Sequence, residues 1–423
     1  MREQISFHGK NQLKSIIKFF INMPINIRLY IFLLFAIVNS QLYALQKVSL
    51  EKYGDIKTED VTSILQKAFN DIENKCLILP RGILNVNNLT IESKNNFKIQ
   101  GFSTILQCKK IEIKNCSQFE IENIEIYGVK NKFAYFNIVG NCHDFSIHDC
   151  YFNSEKDEKG NNTFYGIHII CDNNNLQKSY TNSPRFFDIY KNKIKNTRYN
   201  GILIHALCSN FNVYNNTVDS AQCIGIEVEG RLGNNKNTSV YPCKNGNIYN
   251  NNITNCGDWG ILLIWSHNIN VYKNICKNNI GCFLSIGCTN TSIYQNFLVG
   301  IKKGFEISQE YYSIDKGIND NIRIYNNKII GKPRAENRGV IDIRHAQNIF
   351  FEKNKITCIY RKNGSCFSIA SARNIHIISN HIKKNENIEL NKIIYNEAPD
   401  PENNHLYPIK SENCFIEKNT FNN

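Results

Sequence analysis

The 423-residue sequence has little proline, with 8 residues, and only two tryptophans and two methionines. No Gly/Ser/Pro-rich linker and no charge run interrupts it. A chain of this length would ordinarily divide into two or three domains joined by such segments. Their absence favours a repeat architecture, which grows by stacking coils and needs no hinge. There is no CxxC and no His/Cys cluster at zinc spacing, so no structural metal or cofactor is expected. No compact basic motif with interleaved aromatics occurs, which argues against a nucleic-acid partner. No apolar run reaches the roughly 20 residues of a comfortable membrane span.

A shorter apolar run is present. Residues 29–38 (LYIFLLFAIV) follow Arg28 and earlier lysines. Val38-Asn39-Ser40 and Leu42-Tyr43-Ala44 each place a small residue where a signal peptidase would cut. Residues 1–44 therefore read as a signal peptide or an uncleaved signal anchor. That anchor is the only membrane contact expected, and a secreted, periplasmic or cell-surface location follows. Residues 1–22 are long for the region before the apolar run, so Met23 is an alternative start.

The net charge is +13, and residues 1–44 hold five basic residues against one acid. The body is thus still basic, which suits a polysaccharide partner, anionic above all, or simply a solvated lysine-rich surface. All 16 cysteines follow the apolar run. Export would permit disulfides, with Cys108/Cys116, Cys142/Cys150 and Cys282/Cys288 the close pairs. Cysteine also packs as a small apolar residue.

From about residue 110 one phrase recurs: aromatic or aliphatic, any residue, Ile/Val, Tyr, any residue, Asn. It reads Phe187-Asp188-Ile189-Tyr190-Lys191-Asn192, then Phe211-Asn212-Val213-Tyr214-Asn215-Asn216, and continues to Cys414-Phe415-Ile416-Glu417-Lys418-Asn419. Steps between the final asparagines run from 22 to 39 residues. The short steps read as one coil, and the long ones as a coil plus a loop. Apolar residues alternate within the phrase, as in a strand with one buried face. The Asn falls where a coil would turn; it tolerates left-handed backbone, and its amide can bond along a stack.

A second phrase, Gly-Ile-x-apolar, lies between the markers: Gly166-Ile167, Gly201-Ile202, Gly225-Ile226, Gly260-Ile261 and Gly304-Phe305. Each coil thus offers at least two short strands. Ahead of the repeats, residues 58–72 have the apolar spacing of an amphipathic helix, with Val61, Ile64, Leu65, Ala68, Phe69 and Ile72 on one face and Thr58 as cap. Such a helix covers the open first coil. The expected fold is all-β, a right-handed parallel β-helix (solenoid) with an N-terminal amphipathic capping helix. Residues 45–423 form one domain: a cap over 45–75, then ten or more coils over 76–423. Inserted loops are expected near 154–185, 231–244 and 386–410.

The opening Val48-Ser49-Leu50-Glu51-Lys52-Tyr53-Gly54-Asp55, the helix with Thr58-Glu59-Asp60, and Leu79-Pro80-Arg81-Gly82 resemble the pectin-lyase-like superfamily of carbohydrate-active β-helix proteins. The resemblance implies the fold and a carbohydrate-related function. It does not select a reaction, because one fold hosts many. The polygalacturonase set (Asn-Thr-Asp, Gly-His-Gly, Arg-Ile-Lys) and the Asp-Pro-His-Asp motif of alginate epimerases are absent.

Chemistry is sought on the outward side chains of the Gly-Ile strands. The second position after each glycine gives His168, Leu203, Glu227, Leu262, Glu306, Asp342 and Ser368; the fourth gives Ile170, His205, Glu229, Ile264, Ser308, Arg344 and Ala370. Glu227 and Glu229 share a face about 6.5–7 Å apart, with His205 one coil away at about 4.8 Å. Glu227, Glu229 and His205 are the catalytic candidates, as an acid/base carboxylate pair or with His as base. Arg231 is expected to continue that face, and Trp259 and Trp265 to stack on sugar rings, although Trp265 could instead fill a corner. Glu306, Glu310, Asp342, Arg344 and His345 form a second polar set, read as subsites or as a salt-bridge network. The Tyr of the Tyr-x-Asn phrase is read as scaffold.

The leading expectation is an exported enzyme acting on an acidic polysaccharide, either a glycoside hydrolase or a polysaccharide lyase/epimerase. The alternative is a non-catalytic carbohydrate-binding or surface/adhesin β-helix.

Overall fold

The computed structural model describes residues 45–129, 134–172, 179–232, 239–308, 318–335, 338–359, 364–384, 394–397 and 411–422. The expected signal segment lies outside these residues, as do most of the loop expected at 386–410 and Glu310. Among the described residues no helix is long and apolar enough to cross a membrane. Residues 47–423 form one compact unit.

Among the described residues, thirty-five strands join in a single hydrogen-bonded sheet. The central coils supply three strands each, as in Ser209–Tyr214, Thr217–Asp219 and Ile226–Glu229, followed by Cys243–Tyr249, Asn252–Thr254 and Trp259–Ile264. Each strand pairs in parallel with its equivalent one coil on; Phe211, Val213 and Tyr214 meet Gly246, Ile248 and Tyr249. The result is a parallel β-helix with three faces, here called the Tyr face, the short face and the Gly-Ile face. The short face follows the marker Asn and was not resolved as a strand from sequence.

The core is a stack of like residues. Phe97, Phe119, Phe145, Phe187 and Phe211 pile with ring centroids 4.7–5.4 Å apart. Each aromatic pair adds about 0.5–1.5 kcal/mol beyond its area burial. The stack stops at Gly246, whose missing Cβ makes room for the Phe211 ring.

The marker asparagines form a continuous internal ladder from Asn192 to Asn419. Asn274 is representative: its Nδ2 donates to Asn296 Oδ1 at 3.0 Å and to the Ile248 carbonyl at 2.8 Å. Its own Oδ1 accepts the Asn251 amides at 3.0 and 2.9 Å. The left-handed backbone expected of this Asn belongs instead to the residue before it. Lys191, Asn215, Asn250, Lys273, Gln295, Asn326, Lys353, Ser379 and Lys418 all have φ between 53° and 56°. The turn therefore does not need Asn at the ladder position; the buried amide does.

The N-terminal helix is Thr62–Asn70, shorter than expected, with Ile64, Leu65, Ala68 and Phe69 buried. Thr58 does not cap it: its hydroxyl donates to the Asp60 carbonyl at 3.1 Å, and the Asp60 carboxylate takes the Thr62 N–H at 2.8 Å. Cys108, Cys116, Cys142, Cys150, Cys282 and Cys288 are buried, and no disulfide joins them. Burial pushes the Cys108 and Cys142 thiols up to about 12, the behaviour of inert core residues.

Candidate functional site

Strand register fixes the outward columns of the Gly-Ile face. His168, Leu203, Glu227, Leu262, Leu284, Glu306, Asp342 and Ser368 are successive partners. His205, Glu229, Ile264 and Ile286 run beside them. Arg344 sits one coil before Ala370. These columns contain the residues expected from the Gly-Ile phrase, with one further coil, that of Leu284 and Ile286, between Leu262 and Glu306.

The face is not an open groove. Glu227 and Glu229 are only 6% and 7% exposed, and Glu306 and Asp342 2% and 3%. Between these acidic pairs lies a second apolar cluster outside the coils, of Ile224, Trp259, Leu262, Ile264, Trp265, Leu284 and Ile286. Both tryptophans are buried in it. They are not open stacking platforms, which corrects that expectation. Trp259 lies over Gly281, where a Cβ would strike its ring, and Lys303 Nζ sits 4.8 Å from its centroid. Trp265 occupies a corner, with φ 42°.

At the first acidic pair, His205 Nε2 is 3.8 Å from Glu229 Oε2. The Asn200 amide donates to Glu227 Oε2, a partner that sequence did not reveal. Arg231 does not continue the face. The strand ends at Glu229, and Arg231 pairs antiparallel with Val240 in a separate hairpin; its side chain lies outside the described residues.

The second polar set is the more tightly organised. Asp342 Oδ1 accepts from Arg344 Nε at 2.9 Å and Ser368 Oγ at 2.6 Å, and its Oδ2 from Arg338 Nη1 at 3.0 Å. Two guanidiniums and a hydroxyl donating to one carboxyl call for an ionised acceptor. Its strand neighbour Glu306 differs. Arg334 Nη1 approaches Oε2 at 3.4 Å, while Oε1 is buried with no hydrogen-bond partner among the described residues. Burial raises the Glu306 pKa, with Arg334, Lys303 and Arg338 opposing the rise but not cancelling it. One rung, about 4.8 Å of backbone, thus separates an acid biased toward its protonated form from a fixed carboxylate. Such a pair can divide acid and base work. Arg338 and Arg334 come from the segment before Gly339, which has no periodicity and gave no signal.

A third cluster sits on the Tyr face near the N-terminus. Lys98 Nζ bridges Glu120 and Glu122 at 2.9 Å each. His148 Nε2 meets Glu120 at 2.8 Å, and its Nδ1 meets Asp149 at 2.8 Å. Ligand atoms of Glu120, Glu122 and His148 lie within 4.8 Å of one another, but the Lys98 ammonium already supplies the positive charge between the carboxylates.

No protein-family profile and no curated protein matches the sequence. Solved structures do match. The A-module of the mannuronan C-5 epimerase AlgE4 from Azotobacter vinelandii superposes with a TM-score of 0.59 at 11% identity, covering 89% of this chain and 100% of that one. The Agl-KA catalytic domain superposes with a TM-score of 0.50 at 14% identity, covering 89% and 68%. The chain has the right-handed β-helix fold of the pectin-lyase-like proteins. At these identities the likeness concerns the fold. The coils place Glu306 and Asp342 side by side on one face, with Glu227 and Glu229 three rungs from Glu306 on the same face.

Proposed function

We propose that this protein is an exported enzyme that modifies an acidic polysaccharide, by hydrolysis or by lyase/epimerase chemistry. The observation that carries the reading is the Glu306–Asp342 pair, register neighbours of which one carboxyl is buried with an oxygen that has no hydrogen-bond partner among the described residues and the other is held by two guanidiniums. Glu306 is the proposed proton donor. Asp342 orients Arg338 and Arg344, whose charges suit the carboxylate of a uronate. Glu227, Glu229 and His205 form the second catalytic candidate, with Trp259 and Trp265 as the packed wall between the two. The fold shared with a mannuronan epimerase module supports a polymer substrate. The apolar run at residues 29–38 and the net charge of +13 support export and an anionic partner.

The test is incubation with a panel of acidic and neutral polysaccharides. A lyase produces unsaturated-uronate absorbance, a hydrolase new reducing ends, and an epimerase altered uronate NMR signals. Glu306→Gln should lower the rate by about 10²–10⁴-fold, the usual contribution of a positioned acid or base, and Asp342→Asn should lower it by loosening Arg338 and Arg344. If Glu227→Gln and Glu229→Gln abolish turnover while those two leave it intact, the site moves to the first pair. No product from any polymer would refute the enzyme reading.

One observation favours a non-catalytic carbohydrate-binding or surface/adhesin role. The outward carboxylates of the Gly-Ile face are buried, and Asp342 is saturated by protein donors, as in a structural ion-pair network. That reading predicts no product and a loss of stability in Asp342→Asn.

A further inference from the structure

The Tyr face carries an outward aromatic column distinct from the candidate site. The rings of Tyr190, Tyr214, Tyr249, Tyr272, Tyr294 and Tyr325 stack with centroids 4.8–5.0 Å apart and planes within 6°. The column ends abruptly, because the partner of Tyr325 in the next coil is Glu352. A second column starts two residues to the side. Phe350, the partner of Arg323, stacks on His376 at 4.8 Å, and His376 on Phe415 at 5.0 Å. The aromatic surface thus makes a lateral step between two coils.

A recess of about 420 Å³ opens at this step, lined by Ser292, Arg323, Tyr325, Phe350 and Glu352. Its volume falls within the range of small-ligand sites, about 300–1,000 Å³. Tyr325 gives one ring face to Tyr294, and among the described residues no ring stacks on the other, where Glu352 is the register partner. Arg323 is exposed, its guanidinium lies 5.5 Å from the Phe350 centroid, and it makes no ion pair among the described residues. Ser292 is small where the columns cross and leaves the floor open.

We propose that this step is a binding site for one uronate residue of an anionic polysaccharide, separate from the Gly-Ile face. The apolar face of a pyranose stacks on aromatic ring surface. The Arg323 fork takes the sugar carboxylate with two parallel N–H donors. Glu352 accepts from ring hydroxyls. A polymer held there stays close to the protein between encounters with the Gly-Ile face, which raises its effective concentration. The inference shares the anionic-polysaccharide reading but stands on different residues, so the two can fail separately.

The test is calorimetric titration of the full-length protein with tetragalacturonate and tetramannuronate, their methyl esters, and neutral maltotetraose. At least one of the two acidic probes should bind. Its methyl ester should bind at least about ten-fold more weakly, and Arg323→Gln should lose a similar factor, because a charge-assisted fork is removed in each case. Arg323 is exposed, so folding should be unaffected. Unchanged binding in Arg323→Gln, equal binding of the esters, or no binding of either acidic probe would overturn the site. If Arg323-dependent binding persists while no polymer is ever turned over, the enzyme reading fails and this site stands. If turnover occurs and binding is indifferent to Arg323, the reverse holds.

Discussion

Glu306 and Asp342 are register partners on adjacent parallel strands, yet one carboxyl is penalised by burial and the other is gripped by two arginines. The backbone treats them alike; the difference comes from Arg338, Arg344 and Ser368 converging on one of them only.

The raised pKa of Glu306 fixes a sign. The folded state holds a proton that the unfolded chain releases near the ordinary 4.5. Stability from this group therefore falls as pH rises from about that value through the raised one. Glu306→Gln, which cannot ionise, should raise Tm relative to the parent at pH 7–8 and lose that advantage by pH 4. Calorimetry across this range checks it, and a pH-independent difference would refute it.

His148 shifts stability with pH in the same direction, through a cation that is stabilised instead of an anion that is penalised. Burial disfavours its charge, but hydrogen bonds to Glu120 and Asp149 outweigh this and raise its pKa, while the His148 contact lowers Glu120 to about 2. Its stabilisation is complete below about 6.5 and is lost as pH rises through the raised folded value. The Tm gap between the parent and His148→Gln should be widest near pH 6 and narrow by pH 9. The Glu120 contribution should be complete above about 4.5 and be lost as pH falls toward about 2.

Asn274→Ala should cost about 1–3 kcal/mol, since it strands the Asn251 amides and the Ile248 carbonyl inside the coil. Asn270→Ala, on the outer column where Asn270 bonds Asn247 at 3.0 Å, should stay within about 0.5 kcal/mol. Urea midpoints of the two variants decide between an internal and an external role for the amide ladders.

Gly281→Ala should destabilise by about 1–3 kcal/mol through overpacking, because the new methyl meets the buried Trp259 ring. Trp259→Leu in the same chain should relieve most of that clash. A double-mutant cycle would then show coupling; additive losses would refute the contact.

The Tyr-x-Asn and Gly-Ile phrases made the fold legible because stacking repeats the same physical problem in every coil. Alternation located the strands and the Gly-Ile columns down to Asp342 and Arg344. The short face escaped notice because three residues such as Thr217–Asp219 carry too little pattern. The left-handed corner was assigned to the wrong residue because Lys, Gln and Ser fill it as well as Asn. Burial of the outer Gly-Ile face was not legible either. In Trp259–Ile264 every residue is buried, so alternation gives no inside and outside. Arg334, Arg338 and Asn200 act from turns, where no period marks them.

The asparagine ladder also explains a freedom in this chain. Its rungs are separated by 22 residues in one coil and 39 in another, yet the Asn–Asn hydrogen bonds are the same. Register is measured at the corner, by contact with the previous coil, and not by counting along the chain. The entropy of closing a longer loop grows only slowly with its length. Surplus sequence can therefore accumulate between rungs without shifting any residue below it. The solenoid behaves as a rack with fixed slots, in which the segments between slots are open to revision while the columns on all three faces stay in line.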